Sequence, residues 1–102
     1  MTVQQIRDVV LRADPNAKHY YYAKDGGSFT VWAEYRRLPF AADDLANKGW
    51  AFQVDRYTKV EYDPVAEAIE RALDEAEIAY SYQVEYDQDT GYIRHLFDCE
   101  GL

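Results

Sequence analysis

Residues 50–92 read WAFQVDRYTKVEYDPVAEAIERALDEAEIAYSYQVEYDQDTGY, and this stretch decides the fold of the 102-residue chain. Residues 50–57 alternate apolar and polar side chains, which is the pattern of a half-buried strand. Asp63 and Pro64 predict a helix start, because aspartate caps free N–H groups and proline has no N–H to lose. Two aromatic-rich segments follow, joined by residues 87–91. The stretch therefore predicts the order strand, helix, strand, turn, strand.

The helix that follows Asp63 is amphipathic. Its apolar face consists of Val65, Ile69, Ala72, Leu73 and Ala76. The rest of its surface is acidic and includes Glu67, Glu70 and Asp74. A helix with two such faces lies on a sheet, with its apolar face turned inward. The strands at 78–87 and 92–99 are expected to form the closing hairpin of that sheet.

The N-terminal third predicts a helix followed by a hairpin. Thr2 and Gln5 have the spacing of a capping box, and the helix is expected to end at Asp14, before a proline. Residues 18–36 are expected to form the hairpin. Its second strand alternates, with Phe29, Val31, Ala33 and Tyr35 on one face and Thr30, Trp32, Glu34 and Arg36 on the other. Residues 38–48 are expected to be the least ordered internal segment of the free protein, and to become ordered on assembly.

Together these patterns predict one α+β domain over residues 1–102. We expect an antiparallel or mixed sheet of about five strands, packed against two helices in the order α-β-β-β-α-β-β. The side chains expected in its core are Val10, Val31, Phe52, Val54, Ile69, Leu73 and Val84.

The composition limits the possible functions. Hydrophobic residues make up 48% of the chain, which argues against disorder, and no apolar run is long enough to cross a membrane. The N-terminus lacks the pattern of a signal peptide, and a single cysteine cannot form an internal disulfide, so we expect synthesis in a reducing cytosol. Residues 1–58 carry 8 Lys and Arg against 7 Asp and Glu, or +1; residues 59–102 carry 3 against 12, or −9. An acidic half of this size argues against specific nucleic-acid binding.

The residue patterns give little support for a catalytic site or a metal site. His95 and Cys99 share one face of a predicted strand, but four residues span ~13 Å, too far for a single zinc ion. Carboxylates beside Cys99 raise the pKa of a thiol and lower its reactivity. No phosphate loop and no pair of nucleophile and base stands out. We therefore expect a non-enzymatic protein without a metal or cofactor.

Two motifs carry a resemblance to a known family. The first is Trp50 to Asp55 leading into the amphipathic helix; the second is the hairpin sequence YDQDTGYIRH, residues 86–95. In both, and in the order of its elements, the chain resembles the small tail completion, or tail terminator, proteins of long-tailed phages and prophages. The resemblance covers most of residues 29–100. It places the family's strand-ending aspartate at Asp55 and its closing hairpin at residues 89–95.

The resemblance implies a structural role. Members of this family form a ring, usually of six subunits, that ends tail-tube polymerisation and joins the tail to the head. The expected partners are further copies of the chain, the tail tube protein and the head–tail connector protein. The expected locations are the host cytoplasm during assembly and then the virion tail. The family has no catalytic residues to carry over.

The charge distribution suggests how subunits meet in such a ring. A ring needs two different surfaces on each subunit. On the basic side the candidates are Arg36, Arg37 and Lys48, and on the acidic helix they are Glu67, Glu70 and Asp74. Arg36 and Arg37 are consecutive strand residues, so they are expected to point to opposite faces. The alternative function is a small acidic inhibitor that mimics DNA and binds a host nuclease or DNA-binding protein.

Overall fold

Two helices and a five-stranded mixed sheet form the parts of the chain that the computed structural model describes, residues 1–21, 25–39 and 49–102. This confirms the predicted α+β fold and its order of elements. The helices are α1 (Val3–Ala13) and α2 (Pro64–Glu75). The strands are β1 (Lys18–His19), β2 (Phe29–Arg37), β3 (Trp50–Thr58), β4 (Ala79–Tyr86) and β5 (Ile93–Gly101).

The two helix starts follow the predicted capping chemistry. The Gln5 N–H donates to Thr2 Oγ1 at 3.1 Å, and the Thr2 N–H donates to Gln5 Oε1 at 2.8 Å, which completes the capping box. At α2 the Asp63 carboxylate accepts the N–H groups of Val65 and Ala66. Each cap satisfies donors that the first helical turn leaves without partners.

The sheet has the strand order β1-β2-β3-β5-β4. All neighbouring strands are antiparallel except β1 and β2, which are parallel. The predicted hairpin over residues 18–36 is therefore wrong. The backbone of Tyr20 is left-handed, with φ +64°, and it ends β1 after two residues, so the strand does not extend into Tyr20 and Tyr21.

Both helices pack on one face of the sheet, here called the helix face. The buried core that they enclose is formed by Ile6, Val9, Val10, Trp32, Phe52, Val54, Ile69, Ala72, Leu73, Ile78, Phe97 and Cys99. Val31 is also buried, so six of the seven predicted core residues are confirmed. Val84 is the exception, with 53% of its surface exposed. It lies on the edge strand β4 opposite His95, with no further strand of the sheet on its outer side.

The opposite face, here called the open face, carries side chains from all four long strands. One cross-strand row on it reads Val31, Asp55, Leu96 and Gln83. A register shift lies between Glu34 and Arg36, so that Tyr35 is an extra residue in β2. The shift places Arg36 opposite Ala51, on the open face. The prediction that Arg36 shares a face with Thr30, Trp32 and Glu34 is wrong, because simple alternation does not allow for a bulge.

The long segment between β2 and β3 is anchored where it begins and ends. Leu38 is buried and its N–H donates to the Gly49 carbonyl at 3.0 Å, which contradicts the prediction of low order at Leu38. A Cβ atom on Gly49 would lie 2.2 Å from the Gly101 carbonyl oxygen, so only glycine fits against this backbone. Of the rest of the predicted least-ordered segment, Pro39 lies in a turn and residues 40–48 lie outside the described residues.

Candidate interaction surface

The first candidate surface is the end of β2, residues 35–37, here called the cationic end of β2. Arg36 and Arg37 are exposed and lie on opposite faces of the sheet, as predicted. The guanidinium carbon of Arg37 lies 4.8 Å from the centre of the Trp50 ring, which holds the cation over an aromatic face. Neither arginine forms an ion pair with a residue that the structure describes. Lys48, the third predicted basic residue, lies outside the described residues.

The second candidate surface lies where α2 meets β4, and it is here called the acidic edge. Glu67, Glu70 and Asp74 follow one stripe of α2, as their spacing requires. The Tyr80 hydroxyl donates to Asp74 Oδ1 at 2.9 Å. Burial, the hydrogen bond to Asp74 and the charge of Glu70 together raise the pKa of Tyr80. The acidic stripe thus lies beside the tyrosines of β4, and Glu67 remains exposed one turn earlier.

The two surfaces lie at opposite edges of the sheet, although Tyr35 and Arg36 border one open cleft together with Tyr80. Strands β3 and β5 separate β2 from β4, which corresponds to about 14 Å at the usual spacing of strands. Among the described residues, Arg36 and Arg37 therefore form no ion pair with Glu67, Glu70 or Asp74 within one subunit. Arg36 shares that cleft with Asp98 and Glu100 but forms no ion pair with either, so its charge can still attract an opposite charge on another molecule.

Three other charged residues, Asp14, Arg56 and Asp63, form a buried ionic cluster. Arg56 Nε donates to Asp63 Oδ2 at 2.7 Å, and Arg56 Nη1 donates to Thr30 Oγ1 at 3.3 Å and to Asp14 Oδ2 at 3.5 Å. Burial by itself raises the pKa of Asp63, but the hydrogen bond and charge of Arg56 and the N–H groups of α2 outweigh it and lower that pKa. The cluster joins the end of α1 and the start of α2 to β3. Its role is therefore structural.

His95 borders this cluster on the helix face. The Tyr82 hydroxyl lies 2.6 Å from His95 Nδ1, and His95 Nε2 is buried without a partner among the described residues. Burial lowers the pKa of His95, and Arg56 adds to this shift against the opposing charge of Asp63. Burial, with a smaller effect of Asp98, raises the pKa of the Cys99 thiol. The described part of the chain contains no group of three or more His, Cys, Asp or Glu placed to hold a metal ion.

The open face carries a second network, which uses residues from both motifs of the resemblance. Arg94 Nη2 donates to Asp55 Oδ2 at 3.1 Å, and Arg94 Nη1 donates to Glu85 Oε2 at 3.4 Å. Beside them, Phe29, Tyr57 and Tyr92 line an open cleft of about 450 Å³. Arg94, which borders this cleft, therefore fastens β5 to β3 through Asp55 and to β4 through Glu85.

One polar arrangement was not foreseen from the sequence. His19 Nε2 lies 2.8 Å from Glu34 Oε2, the Tyr20 hydroxyl donates to the same carboxylate, and the His19 ring stacks on Trp32. Hydrogen bonds from Tyr20 and His19 lower the pKa of Glu34, although burial acts in the opposite direction. No sequence signal could have revealed this group, because it depends on the parallel pairing of β1 with β2. The exposed His19 and Tyr20 leave it open to water, so it lacks the enclosure of a catalytic site.

The comparisons with known proteins do not extend this description. Among the described residues, no helix is long and apolar enough to span a membrane. No protein-family model matches the sequence, and a search among proteins of curated function finds no similar sequence.

Proposed function

We propose that this protein is a non-enzymatic structural protein of a long-tailed phage or prophage. In this proposal it assembles into a ring of six copies that ends polymerisation of the tail tube and joins the tail to the head. The observation that carries the proposal is the separation of two complementary surfaces on one subunit. The cationic end of β2 and the acidic edge lie at opposite edges of the sheet, and their described residues form no ion pair with each other.

Such a separation favours head-to-tail assembly. A subunit with two different complementary surfaces can use one to bind the neighbour before it and the other to bind the neighbour after it. Repetition of this contact gives a closed ring when the rotation between neighbours divides a full turn. The acidic excess of residues 59–102 adds a further property, because DNA that passes a negatively charged ring is repelled from its surface.

The partners follow from the proposed role and from the family resemblance. They are further copies of this chain, the tail tube protein and the head–tail connector protein. The protein would act in the host cytoplasm during assembly and remain in the virion tail. Asp55 and Asp63 form ion pairs with Arg94 and Arg56, and the Cys99 thiol is buried in the core. These engaged side chains support a scaffold function.

The decisive experiment mixes the protein with its cognate tube protein and measures tube length by electron microscopy. We expect the protein to stop tube growth, and the double variant Arg36→Glu with Arg37→Glu to lose this effect. The matched control is Arg7→Glu with Arg12→Glu on α1, which changes the net charge equally at exposed positions outside β2, α2 and β4.

Two results would contradict the proposal. One is tube growth that runs on unaffected by the wild-type protein. The other is a double variant that controls tail length and head joining as well as the wild type does. A stable monomer or dimer that binds a basic host nuclease or DNA-binding protein would instead support the acidic inhibitor.

A further inference from the structure

We propose that the outer edge of β4 pairs through its main chain with the cationic end of β2 in a second copy of this chain. The sheet then continues from one subunit into the next. This inference rests on the self-association in the proposed function, and it adds the strands that meet and the atoms that bond.

The hydrogen-bond pattern of the β4–β5 pair shows which main-chain groups of β4 are free. The Asp87 N–H donates to the Tyr92 carbonyl at 2.9 Å, so this pair of residues is bonded across the hairpin. Bonded and non-bonded pairs alternate along antiparallel strands, so Ala79, Ser81, Gln83 and Glu85 also bond towards β5. The N–H and C=O groups that point outward belong to Tyr80, Tyr82, Val84 and Tyr86.

This edge lacks the devices that usually protect an edge strand. Proteins block exposed edges with proline, lysine, bulges or very short strands. Ala79–Tyr86 is eight residues long, its pairing with β5 has no register shift, and it contains neither proline nor lysine. Seven of its eight residues are exposed, and Tyr80 is half-buried. An edge of this kind accepts another strand by main-chain hydrogen bonding.

The charge around β4 selects the strand that can bind. Residues 72–93 contain six Asp and Glu residues and no Lys or Arg. Only Glu85 of these lies in β4, where it pairs with Arg94, and the others flank the strand at its two ends. Pairing of two β4 edges would bring these flanking carboxylates near one another, which is unfavourable. The strand that adds to β4 is therefore a cationic one.

The cationic end of β2 meets this requirement on the same chain. Strand β1 pairs with β2 only at Val31 and Trp32, and the Tyr20 hydroxyl donates to the Glu34 carbonyl at 3.1 Å. Beyond that point, the outer side of residues 35–37 is paired with no described strand. The bulge at Tyr35 interrupts it, and the bond from the Leu38 N–H to the Gly49 carbonyl shows that Arg37, rather than Arg36, directs its main-chain groups outward. The other side of this segment pairs with β3, so the two free edges lie on opposite sides of one sheet. Two such edges on each copy give head-to-tail contacts, which can close into a ring.

The size of the contact predicts its strength. Three paired residues provide only two to four main-chain hydrogen bonds, each with a net value of about 0.5–1.5 kcal/mol. The arginines add charge attraction, which salt screens over about 8–10 Å. We therefore expect weak self-association in dilute solution and stable pairing only at high concentration or low salt.

The first test compares Val84→Pro with Val84→Thr by sedimentation at low salt. Proline removes the outward N–H of an exposed edge residue, whereas threonine keeps that N–H and the branched side chain. We expect the association constant of the proline variant to fall at least about fivefold below that of the threonine variant. Equal constants in two variants that unfold cooperatively would overturn the inference.

The second test needs no change to β4, so it holds even where Val84→Pro does not fold. Hydrogen exchange of the wild type is measured residue by residue in dilute and in concentrated solution. We expect assembly to slow the exchange of the Tyr82 and Val84 amides, which point outward, and to leave the Gln83 and Glu85 amides, already bonded to β5, unchanged. The same exchange rates at both concentrations for all four amides would overturn the inference.

A cross-link identifies the strand opposite β4. The variant Arg36→Lys with Arg37→Lys keeps both charges and supplies amines that a carbodiimide joins to neighbouring carboxylates. We expect intermolecular links from the introduced lysines to Glu70, Asp74 or Glu85. Links only to other carboxylates, or a monomer at concentrations up to about 1 mM, would overturn the inference. The tail-length assay with Arg36→Glu and Arg37→Glu would still test the proposed function separately.

Discussion

The Asp63 carboxylate has two structural roles, and substitutions can separate them. It caps α2 by accepting the N–H groups of Val65 and Ala66, and it pairs with the buried guanidinium of Arg56 at 2.7 Å. Asp63→Asn keeps a good cap but removes the charge, whereas Asp63→Ala removes both. The side chains of Asp63 and Arg56 are only 4% and 9% exposed, so little water can replace the lost partner.

These contacts set the expected magnitudes. Removal of one partner from a buried ion pair costs about 3–5 kcal/mol, and Asp14, at 3.5 Å from Arg56, keeps part of the attraction. We therefore expect Asp63→Asn to lower the free energy of unfolding by about 3 kcal/mol. Asp63→Ala should lose about 1 kcal/mol more, because the cap is also lost. The double variant Arg56→Met with Asp63→Asn should lose less stability than the sum of the two single changes, because both charges of the pair are removed together, although Asp14 then keeps a buried charge without its cation.

Urea unfolding at several pH values tests this reasoning. The pKa of Asp63 is lowered in the folded state, so the stability from its charge is complete above the usual aspartate pKa of 3.8. It is lost as the pH falls through the lower, folded-state pKa. The difference between wild type and Asp63→Asn should therefore shrink in acid. A difference at pH 7 below about 1 kcal/mol, typical of exposed pairs, would show that the cluster is not a desolvated ion pair.

Three other predictions follow from the core, from His95 and from the cationic end of β2. Ile69→Ala should lower the free energy of unfolding by about 2–5 kcal/mol in urea, and a loss below 1 kcal/mol would contradict its burial. Burial lowers the pKa of His95, so the free energy of unfolding should reach its full value above pH 6.5 and fall as the pH drops through the folded-state pKa. His95→Phe should remove this dependence on pH, and a variant with the same pH profile as the wild type would contradict it. Self-association measured by light scattering should weaken between 50 mM and 500 mM salt in the wild type but not in Arg36→Glu with Arg37→Glu; an equal salt response would place the charge contact elsewhere.

The features that the sequence predicted correctly are those encoded by neighbouring residues. Both helix caps involve residues two or three positions apart, and the apolar stripe of α2 repeats within twelve residues. The alternation of β3 predicted the strand and the core positions Phe52 and Val54, but not its burial on both faces: Ala51 and Asp55 on the open face are also buried, because β3 lies between two long strands. The wrong predictions arise from backbone geometry and strand order. The left-handed Tyr20, the bulge at Tyr35 and the edge position of Val84 leave no clear mark on a single sequence.

The candidate surfaces show the same division. The acidic stripe of α2 could be predicted, because helical periodicity places Glu67, Glu70 and Asp74 together. The sequence also predicted that Arg36 and Arg37 lie on opposite faces of the sheet. This prediction is correct because the bulge at Tyr35 moves each arginine to the other face, so the two remain on opposite faces. The free edge of β4 could not be predicted, because the closing hairpin has two strands and either could have paired with β3. Only the strand order shows that β5 is the inner strand.

The inner position of β5 also has a consequence for folding kinetics. The hairpin of β4 and β5 closes through a short turn, and such a unit can form within microseconds. The pairing of β3 with β5 is slower to arrange, because Thr58 lies opposite Ile93, 35 positions later, and Trp50 lies opposite Gly101, 51 positions later. We therefore expect the hairpin to form first and to dock on β3 in the rate-limiting step. Substitutions between β3 and β5, such as Phe97→Ala, should then slow refolding, whereas substitutions on the outer side of β4 should leave the refolding rate unchanged.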